Sequence, residues 1–213
     1  MGGDIVRRNF AIATAIALIC LGAPVARAAD LPAARDPVVV AAPQDPYALS
    51  NGLFNPTRFE LRGGVFAHGI GSIEKGSADL NAEIVFPKFY TVPGWVDVLI
   101  PRLHAGGMVN FSGKTDYAYA GALWTVNFFE RWFAEAFFGA SLHNGFENGA
   151  PGRIAQSCRL GFHAGASLGY RFDQHWSIMG TYDHLSNGRD AFGTNCASNP
   201  GLNEYGLRVG YAF

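Results

Sequence analysis

Excess charge, long apolar runs and cysteine are all scarce in this 213-residue chain. The formal net charge is −1 and no basic run is present, which argues against a nucleic-acid partner. The apolar stretch from Ala11 to Gly22 is well short of the roughly 20 residues that a membrane-spanning helix needs. No window beyond residue 28 shows sustained helical periodicity, which argues against a helical bundle. Of the three cysteines, only Cys158 and Cys196 lie beyond that point.

Glycine and aromatic residues are abundant instead. The chain has 27 Gly, 17 Phe, 8 Tyr and 4 Trp, a profile that favours β structure packed closely or facing lipid. Its composition, 49% hydrophobic and 15% charged, excludes a disordered chain. The length suits one domain.

The amino terminus has the pattern of an export signal. Arg7 and Arg8 precede the apolar stretch, and Ala26-Arg27-Ala28 fits a signal-peptidase site, so residues 1–28 are predicted to be a signal peptide. A permanent membrane anchor is the weaker alternative. Residues 29–55, rich in Ala and Pro, are predicted to be a flexible lead, and residues 56–213 the folded domain.

Export also bears on the two remaining cysteines. In an oxidising compartment an even pair is more often a disulfide than a metal site or a nucleophile. We therefore predict a Cys158–Cys196 disulfide, and two free buried thiols are the alternative.

Alternating patterns mark eight candidate strands, centred near residues 62, 83, 105, 121, 137, 165, 181 and 208. In the clearest, from Arg159 to Phe172, apolar residues alternate with polar residues or glycine over about fourteen positions. That length exceeds a usual strand of a soluble sandwich and suits a tilted strand with an apolar outside and a polar inside. The predicted fold is an all-β, eight-stranded antiparallel transmembrane β-barrel. Its lumen is expected to hold charge pairs between Glu135 and Arg62, Arg159 and Arg171.

Loop lengths and the carboxyl terminus support the same fold. After the fourth strand, tight turns near residues 127–131 and 173–174 alternate with long loops at 144–157 and 188–202. Short turns at one end and long loops at the other are typical of outer-membrane barrels. The chain ends on Phe213, and a terminal aromatic residue after an alternating strand resembles an outer-membrane insertion signal. The outer membrane of a Gram-negative bacterium is the predicted location.

A candidate nucleophile and base stand at the long-loop end of the seventh strand. His184 and Ser186 are two residues apart and so share a face, roughly 6.6 Å apart along the strand. The same parity adds Trp176, Ile178 and Tyr182, which makes that face apolar. A polar pair on a lipid-facing surface costs free energy unless it has partners or a use, although an interfacial rim would lower that cost. At this spacing the imidazole can approach the hydroxyl, which is the pairing that activates a serine nucleophile, although for a His-x-Ser pair taken alone the interfacial rim is the better interpretation.

The run from His184 to Asn187, the run from Asn199 to Glu204 and the final aromatic-ended strand together resemble the outer-membrane lipid A 3-O-deacylase (PagL-type) family. The resemblance implies a carboxylic ester hydrolase with base His184, nucleophile Ser186 and Glu204 as third member of a triad. Its implied substrate and partner is lipid A, or lipopolysaccharide of the outer leaflet, and it suggests a homodimer. However, strand parity counted back from Phe213 turns Glu204 into the lumen, so Glu204 either lies in a loop or at a bulge or is not the third member of the triad.

Further polar residues surround this pair. The oxyanion of a tetrahedral intermediate would need N–H donors, for which Asn187 and Gly188 are candidates, although Asn-Gly is also a plain turn signal. Asn199 and Asn203 are candidates for binding substrate. The Gly-x-Ser-x-Gly match at residues 165–169 lies mid-strand with Ser167 facing inward, so it is not a hydrolase elbow. The other histidines show no ligand spacing, and neither a metal nor a cofactor is expected.

The predicted activity is hydrolysis of the 3-O-linked 3-hydroxyacyl chain of lipid A. A non-catalytic outer-membrane barrel, structural or adhesin-like, is the first alternative, and it leaves only the two polar motifs unexplained. A soluble periplasmic barrel with an internal ligand is the second, and the polar inner face and Phe213 argue against it.

Overall fold

The computed structural model describes residues 48–187, 196–197 and 199–213. These residues form a closed antiparallel barrel in which each strand pairs with its neighbours along the chain and the first strand closes on the last. The strands are β1 (Glu60–Ala67), β2 (Ala78–Val85), β3 (Arg102–Asn110), β4 (Tyr117–Phe128), β5 (Trp132–His143), β6 (Leu160–Arg171), β7 (Trp176–Ser186) and β8 (Leu202–Ala212). Every predicted strand centre falls inside one of them, which confirms the predicted fold. In this part of the chain no helix is long and apolar enough to cross a membrane.

The predicted signal peptide and most of the predicted lead, residues 1–47, lie outside the described residues. Residues 48–55, predicted as part of a flexible lead, instead pack at the short-turn end of the barrel. Ala48–Ser50 forms a single 3₁₀ turn, and the ring of Phe54 lies 4.5 Å from the guanidinium carbon of Arg171. Cation–π contact of this kind anchors the segment to the lumen.

Strand alternation separates the two faces of the wall. On β6, Leu168 is 54% exposed on the outside, whereas His163 and Ser167 are buried inside. Ser167 hydrogen-bonds Thr181 at 3.0 Å within the lumen. Because side chains alternate along each strand, one wall presents an apolar surface to lipid and a polar surface to the interior.

Ion pairs fill the lumen, as a small barrel requires. Arg62 contacts Glu135 at 2.8 Å and Glu60 at 2.9 Å, which confirms its predicted pairing. Arg171 is also inside, where it donates to Asn127. The prediction for Arg159 is wrong: it lies just before β6, outside the lumen, and pairs with the exposed Glu147.

The long-loop end carries the connections 68–77, 111–116 and 144–159. The predicted disulfide between Cys158 and Cys196 is present, with the two Cα atoms 5.7 Å apart. Glu74 joins the first and third of these loops, because it accepts hydrogen bonds from Ile154 N and from Arg153. Burial alone would raise the pKa of Glu74, but hydrogen bonds from His68, Ile154 N, Thr115 and Arg153 outweigh burial and hold the pKa at about 2. Through the hydrogen bonds of Glu74, loops 68–77 and 144–159 are joined into one cap over the lumen.

Candidate active site

His184 and Ser186 lie on the outer face of β7, next to the long-loop end. Both side chains are partly exposed, while their neighbours Asp183 and Leu185 are buried in the lumen. The exposed side chains of Trp176 and Ile178 continue the same face toward the short-turn end. The predicted outward direction of the pair is thereby confirmed, and both residues can meet a molecule that approaches from the membrane.

Asn203 orients the imidazole of His184. The two residues are direct partners across β7 and β8, and His184 Nδ1 lies 2.7 Å from Asn203 Oδ1. The hydroxyl of Tyr182 donates to the same oxygen at 2.8 Å, which fixes the amide. Since a carbonyl oxygen only accepts, His184 must carry its proton on Nδ1, and the lone pair on Nε2 remains available to take a proton.

Gly201 packs against the other side of the His184 ring. A Cβ placed on Gly201 would lie 2.7 Å from His184 Cε1, closer than real contacts allow, and the backbone φ there is +73°. Glycine adopts this conformation without strain and leaves the ring its space. The Asn-Pro-Gly run therefore turns the chain and also leaves room for the imidazole of His184.

Asn187 and Asn199 clamp the loops together. Asn187 points inward, where its amide donates to the carbonyls of Ala197 at 2.6 Å and Gln156 at 3.2 Å. Asn199 donates to Gln156 Oε1 at 2.8 Å and accepts a long hydrogen bond from Asn187 N at 3.3 Å. The backbone N–H that makes this bond directly follows Ser186 in the chain. Gly188 lies outside the described residues.

Glu204 does not contact His184. It faces Asp183 across the ladder, on the lumen side, where it accepts from the Tyr117 hydroxyl at 2.7 Å and lies 3.1 Å from His68 Nδ1. The strand has no bulge there, so parity continues unbroken from Phe213 and turns Glu204 inward. Asn203, one residue earlier, contacts His184 where the resemblance led us to expect Glu204.

A groove of about 710 Å³ adjoins the base. Its lining combines apolar loop residues, one cation and the two residues that hold His184: Ile70, Ile73, Arg153, Pro200, Gly201 and Asn203. The backbone N–H of Ile70 donates to Asn203 O, so the wall of the groove is joined to β8. His184 itself does not line the groove, but Gly201 and Asn203, which contact it, do.

The family model of lipid A 3-O-deacylase (PagL) matches residues 104–212, just over half of the chain. The chain belongs to the PagL family. The matched range includes His184, Ser186, Asn203 and Glu204. A search of curated proteins finds no match.

Three solved β-barrel structures are similar to this chain. One described as the outer membrane enzyme PagL is 15% identical with a TM-score of 0.54, and the match covers 71% of this chain and 97% of that one. The N-terminal β-barrel domain of Pseudomonas aeruginosa OprF is 11% identical, with a TM-score of 0.49 and coverage of 74% and 98%. A de novo designed transmembrane β-barrel is 12% identical, with a TM-score of 0.49 and coverage of 75% and 98%. Family and fold together indicate a Gram-negative outer-membrane protein with lipid A deacylase activity at the level of the family.

Sequence reasoning alone missed two features of the site. Asn203 was expected to bind substrate and instead holds the base, while Gln156, which receives both clamping asparagines, was not singled out at all. The contact between Asn203 and His184 depends on the register of β7 on β8. Because a long loop separates these strands, the sequence alone does not predict that register. The position of Tyr182 on the same face as His184 could be predicted, because the two residues are two apart on one strand.

Proposed function

We propose that this chain hydrolyses the 3-O-linked 3-hydroxyacyl chain of lipid A, with Ser186 as nucleophile and His184 as general base. The observation that carries the proposal is an imidazole held by Asn203, on the lipid-facing wall, two residues from a serine that shares its face. A polar pair on such a wall is costly unless it has a use. Family membership supplies the substrate class.

The reaction follows from the free Nε2 of His184. This nitrogen takes the Ser186 proton as Oγ attacks the ester carbonyl, and the resulting tetrahedral intermediate collapses to an acyl-serine. The imidazolium returns the proton to the departing sugar oxygen. His184 then deprotonates a water molecule, which cleaves the acyl-serine and releases a 3-hydroxy fatty acid.

The oxyanion needs donors near Ser186. We assign this role to the backbone N–H of Asn187 and, as an untested expectation, to Gly188. The Asn187 N–H directly follows the nucleophile in the chain, and in the structure it donates to Asn199 Oδ1 at 3.3 Å. Preorganised N–H donors of this kind typically contribute the largest share of transition-state stabilisation in acyl transfer.

The outer wall offers a path for the acyl chain. Beside His184 and Tyr182, β6 presents Ala164 and Ala166, and below them Gly180 leaves open space where other residues would carry a side chain. We infer that these small residues leave a shallow furrow that runs down the apolar surface from His184. A lipid in the outer leaflet could place an acyl chain there without entering the lumen, so little desolvation would be required.

Incubation of the folded barrel with purified lipopolysaccharide tests the proposal. Mass spectrometry should show loss of one 3-hydroxyacyl group from lipid A and the appearance of the free 3-hydroxy fatty acid. An intact lipid A after prolonged incubation, with the barrel still folded, would favour the non-catalytic outer-membrane barrel instead.

A further inference from the structure

A second cluster of chemically capable side chains lies in the lumen beneath the loop cap. Its members are His68, which directly follows β1, Asp79 on β2 and Glu204 on β8, and each is at most 1% exposed. His68 Nδ1 lies 2.9 Å from Asp79 Oδ2 and 3.1 Å from Glu204 Oε1. One ligand atom from each residue falls within 4.8 Å of the others. The proposed esterase reaction uses none of them.

The other ring nitrogen of His68 is already committed. Nε2 lies 3.1 Å from Glu74 Oε2, and a carboxylate there accepts the Nε2 proton. In a neutral imidazole this leaves a lone pair on Nδ1, aimed at two carboxylates. Because three acceptors that face one another in a buried site repel each other, either a second proton on His68, shared with Asp79, or a cation must lie among them.

The charges in the cluster favour a divalent cation. In the described part of the chain, no Lys or Arg pairs with Asp79 or Glu204; their ion-pair partner is His68. Moreover, Glu204 Oε1 is buried without a hydrogen bond, because its approach to His68 lacks hydrogen-bond geometry. A proton on His68 would leave one of the two buried negative charges uncompensated, whereas a divalent cation neutralises both. Buried charges need such compensation.

Each ligand candidate is also held by an outer partner. Asn110 donates to Asp79 Oδ1 at 2.6 Å, and Tyr117 donates to Glu204 Oε2 at 2.7 Å. Glu74 in turn accepts from Thr115 at 3.0 Å. A carboxylate on the far nitrogen of a ligating histidine, with every ligand fixed by a hydrogen bond, is the usual architecture around protein metal ions.

We propose that His68 Nδ1, Asp79 and Glu204 bind a first-row divalent cation of the zinc class. Zinc accepts one imidazole and two carboxylates at about 2.0–2.2 Å, which places tetrahedral donors roughly 3.3 Å apart, close to the spacing seen here. The ion would join the first, second and last strands where the barrel closes. It would also fix the strand that carries Asn203 on its opposite face.

Zinc binding to the full chain, folded in detergent and stripped with a chelator, tests this proposal. Wild type should take up about one Zn²⁺ per chain, and its thermal unfolding midpoint should rise with Zn²⁺ concentration. Glu74→Gln should weaken binding about 10–100-fold, as expected for an outer partner. Asp79→Asn and Glu204→Gln, which remove direct ligands, should weaken it further. His143→Gln, which alters another buried histidine at the same end, is the matched control and should bind as wild type does.

Two results would overturn the assignment. The first is a wild-type chain that neither retains Zn²⁺ nor gains thermal stability from it, since the cluster would then hold a proton on His68. The second is a folded Asp79→Asn or Glu204→Gln chain that binds Zn²⁺ as tightly as wild type. Because the readouts are binding and unfolding, neither result depends on whether the barrel cleaves lipid A.

Discussion

The two faces of the β7–β8 ladder carry polar residues for different reasons. On the inner face, Asp183 contacts Arg208 at 3.0 Å and His163 at 2.9 Å, and all three are buried. On the outer face, one residue along each strand, His184 contacts Asn203 and both are partly exposed. Inner polarity pairs opposite charges and fills the barrel, whereas outer polarity leaves one imidazole nitrogen within reach of a substrate.

This contrast assigns different consequences to neighbouring residues. Removing one member of a buried ion pair leaves the other charge without a partner, so substitutions on the inner face should mainly lower the free energy of unfolding. Residues on the outer face have few partners that a substitution would leave unpaired, so substitutions there should mainly lower activity.

His184→Ala should produce the largest change on the outer face. Loss of the base removes the proton transfer on which the serine depends, so we expect kcat to fall on the order of 10⁴-fold or more, as for other base–nucleophile pairs. Release of 3-hydroxy fatty acid measures this change, and the heat-modifiable band on a gel reports folding. His143→Gln should keep its activity, and equal losses in both variants would erase the distinction between the faces.

Arg208→Met should produce the largest change on the inner face. Asp183 would lose its arginine partner and Glu83 would keep only one arginine, Arg62, and breaking a buried pair in this way typically costs about 3–5 kcal/mol. Urea unfolding in detergent should show this loss in the free energy of unfolding. Leu207→Met, on the exposed neighbour, should be nearly neutral; similar costs at both positions would contradict the assignment of the faces.

Asn203→Ala should have an intermediate effect. The imidazole would lose the acceptor that fixes its tautomer, and we expect kcat to fall about 10–100-fold, less than for the base itself. Asn203→Asp restores an acceptor at the same place and should recover most of the rate, with a pH–rate profile shifted by the new charge. An Asn203→Ala rate equal to that of wild type would show that Asn203 does not orient His184.

The faces of the strands could be predicted from the sequence because alternation is local. The direction of Leu168, Ser167 and His184 follows from parity within one strand, and the structure shows each where parity puts it. Arg159 was misassigned because the strand begins one residue later, so the alternation does not include it.

The partners across strands could not be predicted in the same way. Asn203 meets His184 only because β8 resumes in one particular register after a long loop, and a shift of one residue would have brought Glu204 there instead. Similarly, His68 reaches Glu204 only because the first strand closes on the last. Local sequence patterns predict neither of these two contacts.

Gly180→Leu should have the smallest effect and would sharpen the account of the outer face. No atom lies within 4 Å of a Cβ placed there, so the side chain should be tolerated in folding but should obstruct the furrow below Tyr182. We expect a several-fold lower kcat/KM on lipopolysaccharide. Gly63→Leu, at an exposed glycine of β1 where a Cβ meets only ordinary contact, is the control and should leave kcat/KM unchanged. Equal kcat/KM values in the two variants would show that the acyl chain does not bind in this furrow.

The most direct test compares two serines, one on each side of the wall. Ser186 faces the membrane beside His184, and Ser167 faces the lumen within an accidental hydrolase-like pentapeptide. Each is replaced by alanine, and hydrolysis of lipopolysaccharide by the folded barrel is read by mass spectrometry. The account predicts that Ser186→Ala is folded and releases no 3-hydroxy fatty acid, while Ser167→Ala remains active. Full activity in Ser186→Ala would contradict it.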